Sequence, residues 1–416
     1  MRTAEHGASL VDRVVSVRSM TERLASPLSP EDQTVQSMPE ASPTKWHLAH
    51  TTWFFETFLL RPSVPNYRAF DPAYDYLFNS YYEAVGPRHP RPQRGLISRP
   101  GVGEILAYRR HVTEAMAAAV AGGRLAAARD LVELGLHHEQ QHQELLLMDA
   151  KHMLSLNPLR PAYAPAAERA IGRASALARV EFAGGLAEIG HAGNGFAFDN
   201  EGPRHRVWLE PFALATRLVT CGEYAAFIAD GGYRRPELWL SAGWECVNQR
   251  GWQAPLYWER GDDGWRVFAL SGMRAMNPDE PVSHVSLFEA VAYAKWAGKR
   301  LPREGEWEVA AGGAGAPGAM LDDGTLHPVP ARGDGLVQMF GDVWEWTSSS
   351  YSAYPGYREP DGAIGEYNGK FMANQFVLRG GCALTPADHI RATYRNFFPA
   401  DARWVQAGIR LAEDLR

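Results

Sequence analysis

One stretch, running from Leu131 to Met148, limits what this chain can fold into more than any other. Leu131, Leu134, Leu145 and Met148 recur at three- and four-residue spacing, the period of a helix with an apolar stripe. In the middle of that stripe the apolar residues give way to His138, Gln141 and His142. Residues four apart on a helix lie one above the other on the same face. His138 and His142 are therefore expected to aim two imidazoles at one interior point, as helices in bundle cores do for metals. A lone histidine is ordinarily a surface group or a satisfied core residue, but a pair set into an apolar stripe points to a metal. Imidazole suits zinc, copper, iron and nickel alike, so the pair does not choose among them.

A third ligand is sought upstream. Ser42-Pro43 opens a second helix, with Ser42 as N-cap and Pro43 at the first helical position, running to about Leu60 before Arg61-Pro62. Trp46, His50 and Trp53 share a face at i, i+4, i+7, so His50 is expected to face the core and to be the third ligand. His47, one residue off Trp46, is expected at the rim and is the runner-up.

In chain order, a first helix is expected over about Ser9 to Leu24, then the His50 helix. A long irregular stretch rich in proline and aromatic residues follows, from about Arg61 to Arg99. A loop of that length is usually functional or disordered, and its aromatic content argues against disorder. A third helix covers about Val102 to Val120, and the His138 helix about Leu125 to Leu156. Four helices with a crossover between the second and third describe a four-helix bundle. Beyond a proline- and alanine-rich connector over about Asn157 to Arg179, glycine, tryptophan and short strand-like runs take over, with one clear helix at about Leu287 to Ala297. That texture reads as a loop-rich α+β domain. The boundary is placed at residues 165 and 166: a bundle over 1–165 and a second domain over 166–416.

Composition removes several function classes. The formal net charge of −6 offers no basic patch for nucleic acid. The three cysteines, Cys221, Cys246 and Cys382, make neither a disulfide framework nor a zinc motif. With no apolar run of transmembrane length and no signal-peptide core, a reducing cytoplasm is the expected location and a membrane is not.

These residues resemble a known family. Trp46-His47-Leu48-Ala49-His50 and the H-x3-H-x-E of His138, His142 and Glu144 are similar to a DinB-like helical domain. Four stretches of the second half resemble formylglycine-generating enzymes, relatives of C-type lectins: Gly298 to Glu308, Gly341 to Trp346, Arg379-Gly380-Gly381 and Gly408 to Leu411. The two halves in this order resemble the ergothioneine sulfoxide synthases and their sisters, the selenoneine synthases. The resemblance implies a DinB-like four-helix bundle followed by a C-type-lectin-like domain. It implies one non-haem Fe(II) on His50, His138 and His142, and an O2-dependent bond to C2 of the hercynine imidazole. Its small-molecule partners are hercynine, O2 and a thiol or selenium donor. Three neutral ligands leave up to three open metal positions, as in facial Fe(II) oxygenase sites with histidine in place of the carboxylate.

Further roles follow from the same comparison. Tyr81 and Tyr82 match a tyrosine pair of one synthase subtype, with a phenol as donor of a proton or electron. Arg91 and Arg94 are candidate clamps for the donor's carboxylate. Gln141 is placed to hydrogen-bond the hercynine imidazole, Asn396 its carboxylate, and Phe397 and Phe398 its trimethylammonium by cation–π attraction. Glu144, two residues past His142, points away from the ligand face. It is either a group that supports a ligand or a helix-surface carboxylate. With iron in the bundle and a substrate segment in the second half, the site is expected to draw on both domains.

Two departures bear on the donor. Formylglycine-generating enzymes carry a cysteine pair just after Arg-Gly-Gly, where this chain has Cys382 alone. The synthases usually read Arg-Gly-Gly-Ser-Cys where this chain reads Arg379-Gly380-Gly381-Cys382-Ala383. Cysteine or γ-glutamylcysteine as sulfur donor and a selenosugar as selenium donor both stay open. So do a zinc-dependent DinB-like transferase and, outside enzymes, a lectin-like binding module.

Overall fold

The computed structural model describes residues 9–166, 172–193, 195–361 and 363–415. Part of the proline- and alanine-rich connector, 167–171, lies outside them. Contacts divide the chain into two units: the described residues of Met1–Asn157 with Gly362–Glu366, and those of Pro158–Asp361 with Tyr367–Arg416.

Four long helices make the first unit: α1 (Leu10–Ala25), α2 (Thr44–Phe55), α5 (Val102–Ala121) and α6 (Arg129–Leu156). Short α3 (Arg61–Ser63) and α4 (Tyr74–Phe78) lie between α2 and α5. Ser9 caps α1 through a capping box with Asp12, which satisfies donors that a helix start leaves open. The second helix starts one residue later than expected, with Pro43 in extended backbone as its cap and Thr44 first in the helix. At its far end it widens into a π-helical turn, Glu56–Leu60. Such turns recur at functional sites. Here the turn presents the buried Glu56 to the hydroxyls of Tyr67 and Tyr108, each 2.8 Å away. The long crossover is ordered by α4 and by a 3-10 turn, Arg91–Leu96.

The apolar stripe expected on α6 is buried only in part. Met148 is fully enclosed but Leu131, Leu134 and Leu145 are half-buried, whereas Val132, Leu136, Leu146 and Leu147, off that stripe, are fully enclosed. The helix packs on both α1 and α2, so it buries more than one stripe, and polar residues occupy much of the buried surface. Glu139 is fully buried against Arg18 (3.0 Å), Arg109 (2.7 Å) and the Thr21 hydroxyl (2.7 Å). Burial pushes its carboxyl up, but Arg109 and Arg18 outweigh that and hold it down at about 2.

The second unit is α+β. Its strands are β1 (Arg179–Phe182), β2 (Gly185–Ile189), β3 (His205–Leu209), β4 (Phe212–Ala215), β5 (Trp258–Gly261), β6 (Gly264–Ala269), β7 (Gly272–Ala275), β8 (Trp344–Ser350), β9 (Gln375–Arg379), β10 (Asn396–Pro399), β11 (Ala407–Gly408) and β12 (Ala412–Asp414). They form sheets in the orders β1-β4-β12, β10-β9-β8-β11 and β5-β6-β7, with β2-β3 as a hairpin. Among the described residues four helices accompany them where one clear helix was expected: α7 (Cys221–Ala229), α8 (Ser241–Arg250), α9 (Leu287–Trp296) and α10 (Glu304–Ala311). Three of the four, α7, α8 and α10, have eight to ten residues with glycine or cysteine among them, too short for their period to stand out.

The motif residues of this half build its interior. Arg410 and Glu345 are both fully buried and paired at 2.8 Å, and Trp307 Nε1 donates to the same carboxylate at 2.8 Å. Arg379 pairs with Glu308 at 2.9 Å, and Glu306 receives Arg300 and Arg303. Around this polar centre pack Leu209, Phe212, Leu214, Leu336 and Met339. No helix among the described residues is long and apolar enough to cross a membrane.

Candidate metal centre and its surroundings

Two helices build the centre. α6 supplies His138 and His142 one turn apart, and α2, packed against it, supplies His50. One nitrogen from each of the three imidazoles lies within 4.8 Å of the others. His50 Nε2 and His138 Nε2 are 3.2 Å apart. His50 is fully buried, His138 nearly so, and His142 part-exposed.

Burial holds all three rings neutral. It pushes His138 down to about 3, and it sets His50 and His142 well below the ordinary histidine value, with their neighbour His138 adding to the effect. A neutral imidazole keeps one lone pair, which is what a metal requires. His50 Nδ1 lies 2.6 Å from the Phe78 carbonyl and donates to it, leaving Nε2 free to face the centre. The donor set of three neutral imidazoles therefore fits a divalent transition metal.

Aromatic rings hold these histidines. Trp46 stacks on His50 at 4.6 Å, and Trp53 lies near-parallel to it at 5.7 Å. Phe54 packs against His138 at 4.7 Å. The same tryptophans grip the crossover. Trp46 Nε1 donates to the Leu77 carbonyl at 3.1 Å, and Trp53 Nε1 to Asp75 at 3.1 Å. Asn79 then closes a turn on Tyr82, accepting from its N–H and donating to its carbonyl. Tyr82 is fully buried among Trp53 and Phe58, and Tyr81, part-exposed, stacks on it at 4.7 Å. The carboxylate of Glu366 accepts the next two backbone N–H groups, those of Glu83 and Ala84.

The two candidate clamps differ. Arg94 is buried, its guanidinium lies 3.4 Å over the Trp46 ring, and Nη1 donates to Ser42 Oγ at 2.9 Å. Its Nε has no hydrogen-bond partner among the described residues. Burial first, and Arg91 next, disfavour its charge. Arg91 is exposed and donates to the Glu40 carbonyl. Gln141 is half-buried on α6.

His47 is not at the rim. It is 2 % exposed, and it sits three residues before His50, on the same side of α2. Its Nδ1 lies 2.8 Å from His142 Nδ1 and its Nε2 lies 3.0 Å from Asp149 Oδ2. Glu144 is buried, which removes the helix-surface reading. Sequence reasoning assigns no role to Asp149. The signal was present in its spacing, since seven residues past His142 is two turns along the same face.

In the second unit, β10 pairs antiparallel with β9, Asn396 opposite Leu378. A strand sends successive side chains to opposite faces. Asn396 and Phe398 therefore share one face and Phe397 lies on the other. Their partners agree: Phe397 stacks on Tyr351 at 4.0 Å, and Phe398 meets Trp404 edge-on. The two phenylalanines do not form one wall. Asn396 Oδ1 is engaged by the Phe397 N–H at 2.9 Å. Cys382 is buried, and its N–H donates to Thr385 Oγ1; among the described residues no disulfide joins Cys221, Cys246 or Cys382.

Comparison with known proteins places this architecture. Residues 13–146 match the DinB superfamily, and residues 169–331 and 325–415 match the sulfatase-modifying factor enzyme 1-like domain. A hercynine oxygenase of Mycolicibacterium thermoresistibile is 34% identical, the match covering 99% of this chain and 96% of that one. The chain belongs to the hercynine oxygenase family. A second hercynine oxygenase, from Mycobacterium tuberculosis, is 32% identical over 91% of this chain and 92% of its own length. The formylglycine-generating enzyme of Streptomyces coelicolor is 31% identical over 58% of this chain and 90% of its own length. Both halves of the hercynine oxygenase architecture, the helical DinB-like domain and the sheet-containing domain, are thus present in one chain.

Proposed function

We propose that this chain is an O2-dependent synthase that joins sulfur to C2 of the imidazole of hercynine, with one Fe(II) held by His50, His138 and His142. The observation that carries the reading is the convergence of three neutral imidazoles in a chain of this family. Iron, when bound, supplies a Lewis acid that deprotonates a thiol and an electron source for O2. The chain's own residues do the rest. His50, His138 and His142 present lone pairs without adding charge, and Trp46, Trp53 and Phe54 exclude water on the bundle side. Arg94 binds and orients the carboxylate of the donor. A buried guanidinium with an idle Nε is an unmet electrostatic demand, and an anionic donor meets it. That favours cysteine or γ-glutamylcysteine over a selenosugar, which brings no carboxylate. The Tyr81 hydroxyl, on the more open ring of its pair, holds the proton delivered during bond formation, with Tyr82 behind it. Asn396 and Phe398, on one strand face, receive hercynine. The reducing cytoplasm, where free thiols persist, is the proposed location.

The test is the mass of the product. Iron-loaded protein is given hercynine, air and one of three donors: cysteine, γ-glutamylcysteine or a selenosugar. A sulfoxide joined to hercynine is the expected product. A selenium adduct alone would move the donor assignment, and neither product nor O2 uptake with any donor would overturn the reading. Metal content is the companion measurement. His142→Ala should lose iron while keeping its helical spectrum, and full iron occupancy in that variant, or zinc in the active parent, would refute the Fe(II) assignment.

A further inference from the structure

Behind the three ligands runs a chain of hydrogen bonds that the proposed chemistry has not used. We propose that Asp149 and His47 are positioning residues for the metal ligand His142, selecting the one tautomer that turns its Nε2 lone pair toward the metal. The inference rests on the reading that the three histidines hold a metal.

A carboxylate only accepts, so His47 Nε2, 3.0 Å from Asp149 Oδ2, carries the ring's N–H. Under this proposal the ring carries that one N–H, which leaves His47 Nδ1 as an acceptor. That nitrogen lies 2.8 Å from His142 Nδ1, so His142 Nδ1 must donate. The remaining nitrogen of His142, Nε2, then holds the free lone pair. At His50 the same result comes from a single backbone carbonyl, that of Phe78. Among the described residues no carbonyl is hydrogen-bonded to His142 Nδ1, and a two-residue chain does the work instead.

The chain is anchored at its far end. Asp149 Oδ2 also accepts the Ser42 backbone N–H at 2.8 Å, so the carboxylate is held by main chain at the start of α2. His47 and Asp149 are both buried, which keeps water from competing for these bonds. Ser42 Oγ in turn accepts from Arg94 Nη1. One serine therefore joins the proposed donor clamp to the support of a metal ligand. Ligating histidines are ordinarily held through their second nitrogen by a carboxylate or carbonyl, and losing that partner lowers metal affinity by roughly 10–100-fold. Here the carboxylate acts at one remove, through a second imidazole.

The test uses the full chain and Co(II), whose visible bands report ligand geometry, titrated anaerobically into parent and variants. In His47→Phe the ring stays and both nitrogens go, so Co(II) affinity should fall roughly 10–100-fold and its bands should shift. Asp149→Leu should fall similarly. Asp149→Asn keeps an oxygen that accepts from His47 and should regain most of the loss. Should His47→Phe not fold, by its far-ultraviolet spectrum, the two Asp149 variants decide. Parent affinity and parent bands in a folded His47→Phe or Asp149→Leu would overturn the proposal, even with a lowered Tm, because that is what a merely structural role predicts. Equal losses in Asp149→Asn and Asp149→Leu would also overturn it, placing the effect in charge rather than in the tautomer. A parent that binds no Co(II) would instead bring down the three-histidine metal reading itself.

Discussion

Arg94 shows how much a single buried charge can say. Its guanidinium rests on Trp46, and Trp46 rests on His50, so the charge sits one ring away from a proposed metal ligand. A hydrogen bond to a charged group contributes about 1.5–3 kcal/mol. Arg94→Ala should therefore raise the KM for the sulfur donor roughly ten- to hundredfold, with hercynine KM little changed; an unchanged donor KM would mean that the guanidinium serves only the fold. The tyrosine pair allows a cleaner separation. Phe at position 81 keeps the ring and its stacking on Tyr82 and removes the hydroxyl alone. If that hydroxyl supplies a proton, C–S bond formation should slow by roughly 10²–10⁴-fold while substrate affinity holds. Oxygen uptake and product, measured side by side for Tyr81→Phe and Tyr82→Phe, check this. Two variants that make product at the parent rate would leave the pair as loop anchors.

At the scale of the element, α6 carries two functions on two sides. Toward α2 it presents His138 and His142, and toward α1 and α5 it presents Glu139 to Arg18 and Arg109. Gly135 lets α2 come close, since a Cβ there would lie 2.7 Å from the Phe55 ring. The ion cluster on the far side is fully desolvated, and removing one member of such a pair leaves an uncompensated charge. Glu139→Gln should destabilise the unit by about 3–5 kcal/mol in denaturant unfolding. A loss below about 1 kcal/mol, the size of a surface pair, would show that water reaches the cluster.

For the whole molecule, the proposed roles are divided between two units, and that division is testable. The proposed metal ligands belong to the helical unit and Asn396 to the sheet unit. Asn396→Ala should raise hercynine KM by roughly tenfold, the worth of about one good hydrogen bond, while metal content stays at the parent level. Loss of metal in that variant, or an unchanged KM, would remove Asn396 from the substrate site. The buried pairs Arg410–Glu345 and Arg379–Glu308 belong to a different category. They come from the most recognisable motifs of the second half, yet they face one another in its interior and hold strands and helix together.

Much of this protein was legible in the chain itself wherever the information is local. A period of 3.6 marks the long helices, and spacing of four residues puts His138 and His142 on one face, because helix geometry is set within a few residues. The seven-residue step from His142 to Asp149 was just as readable, but spacing names no partner. What only the tertiary structure decided is which faces meet. Packing of α6 against both α1 and α2 buries polar stripes that periodicity alone would leave outside, and it turns His47 inward to His142 and Asp149. Strand alternation likewise parts Phe397 from Phe398, a separation invisible until β10 is known to pair with β9. The reason is physical: a side chain's neighbours along the chain determine its direction, whereas its charge, tautomer and use depend on groups a hundred residues away that only folding brings into contact.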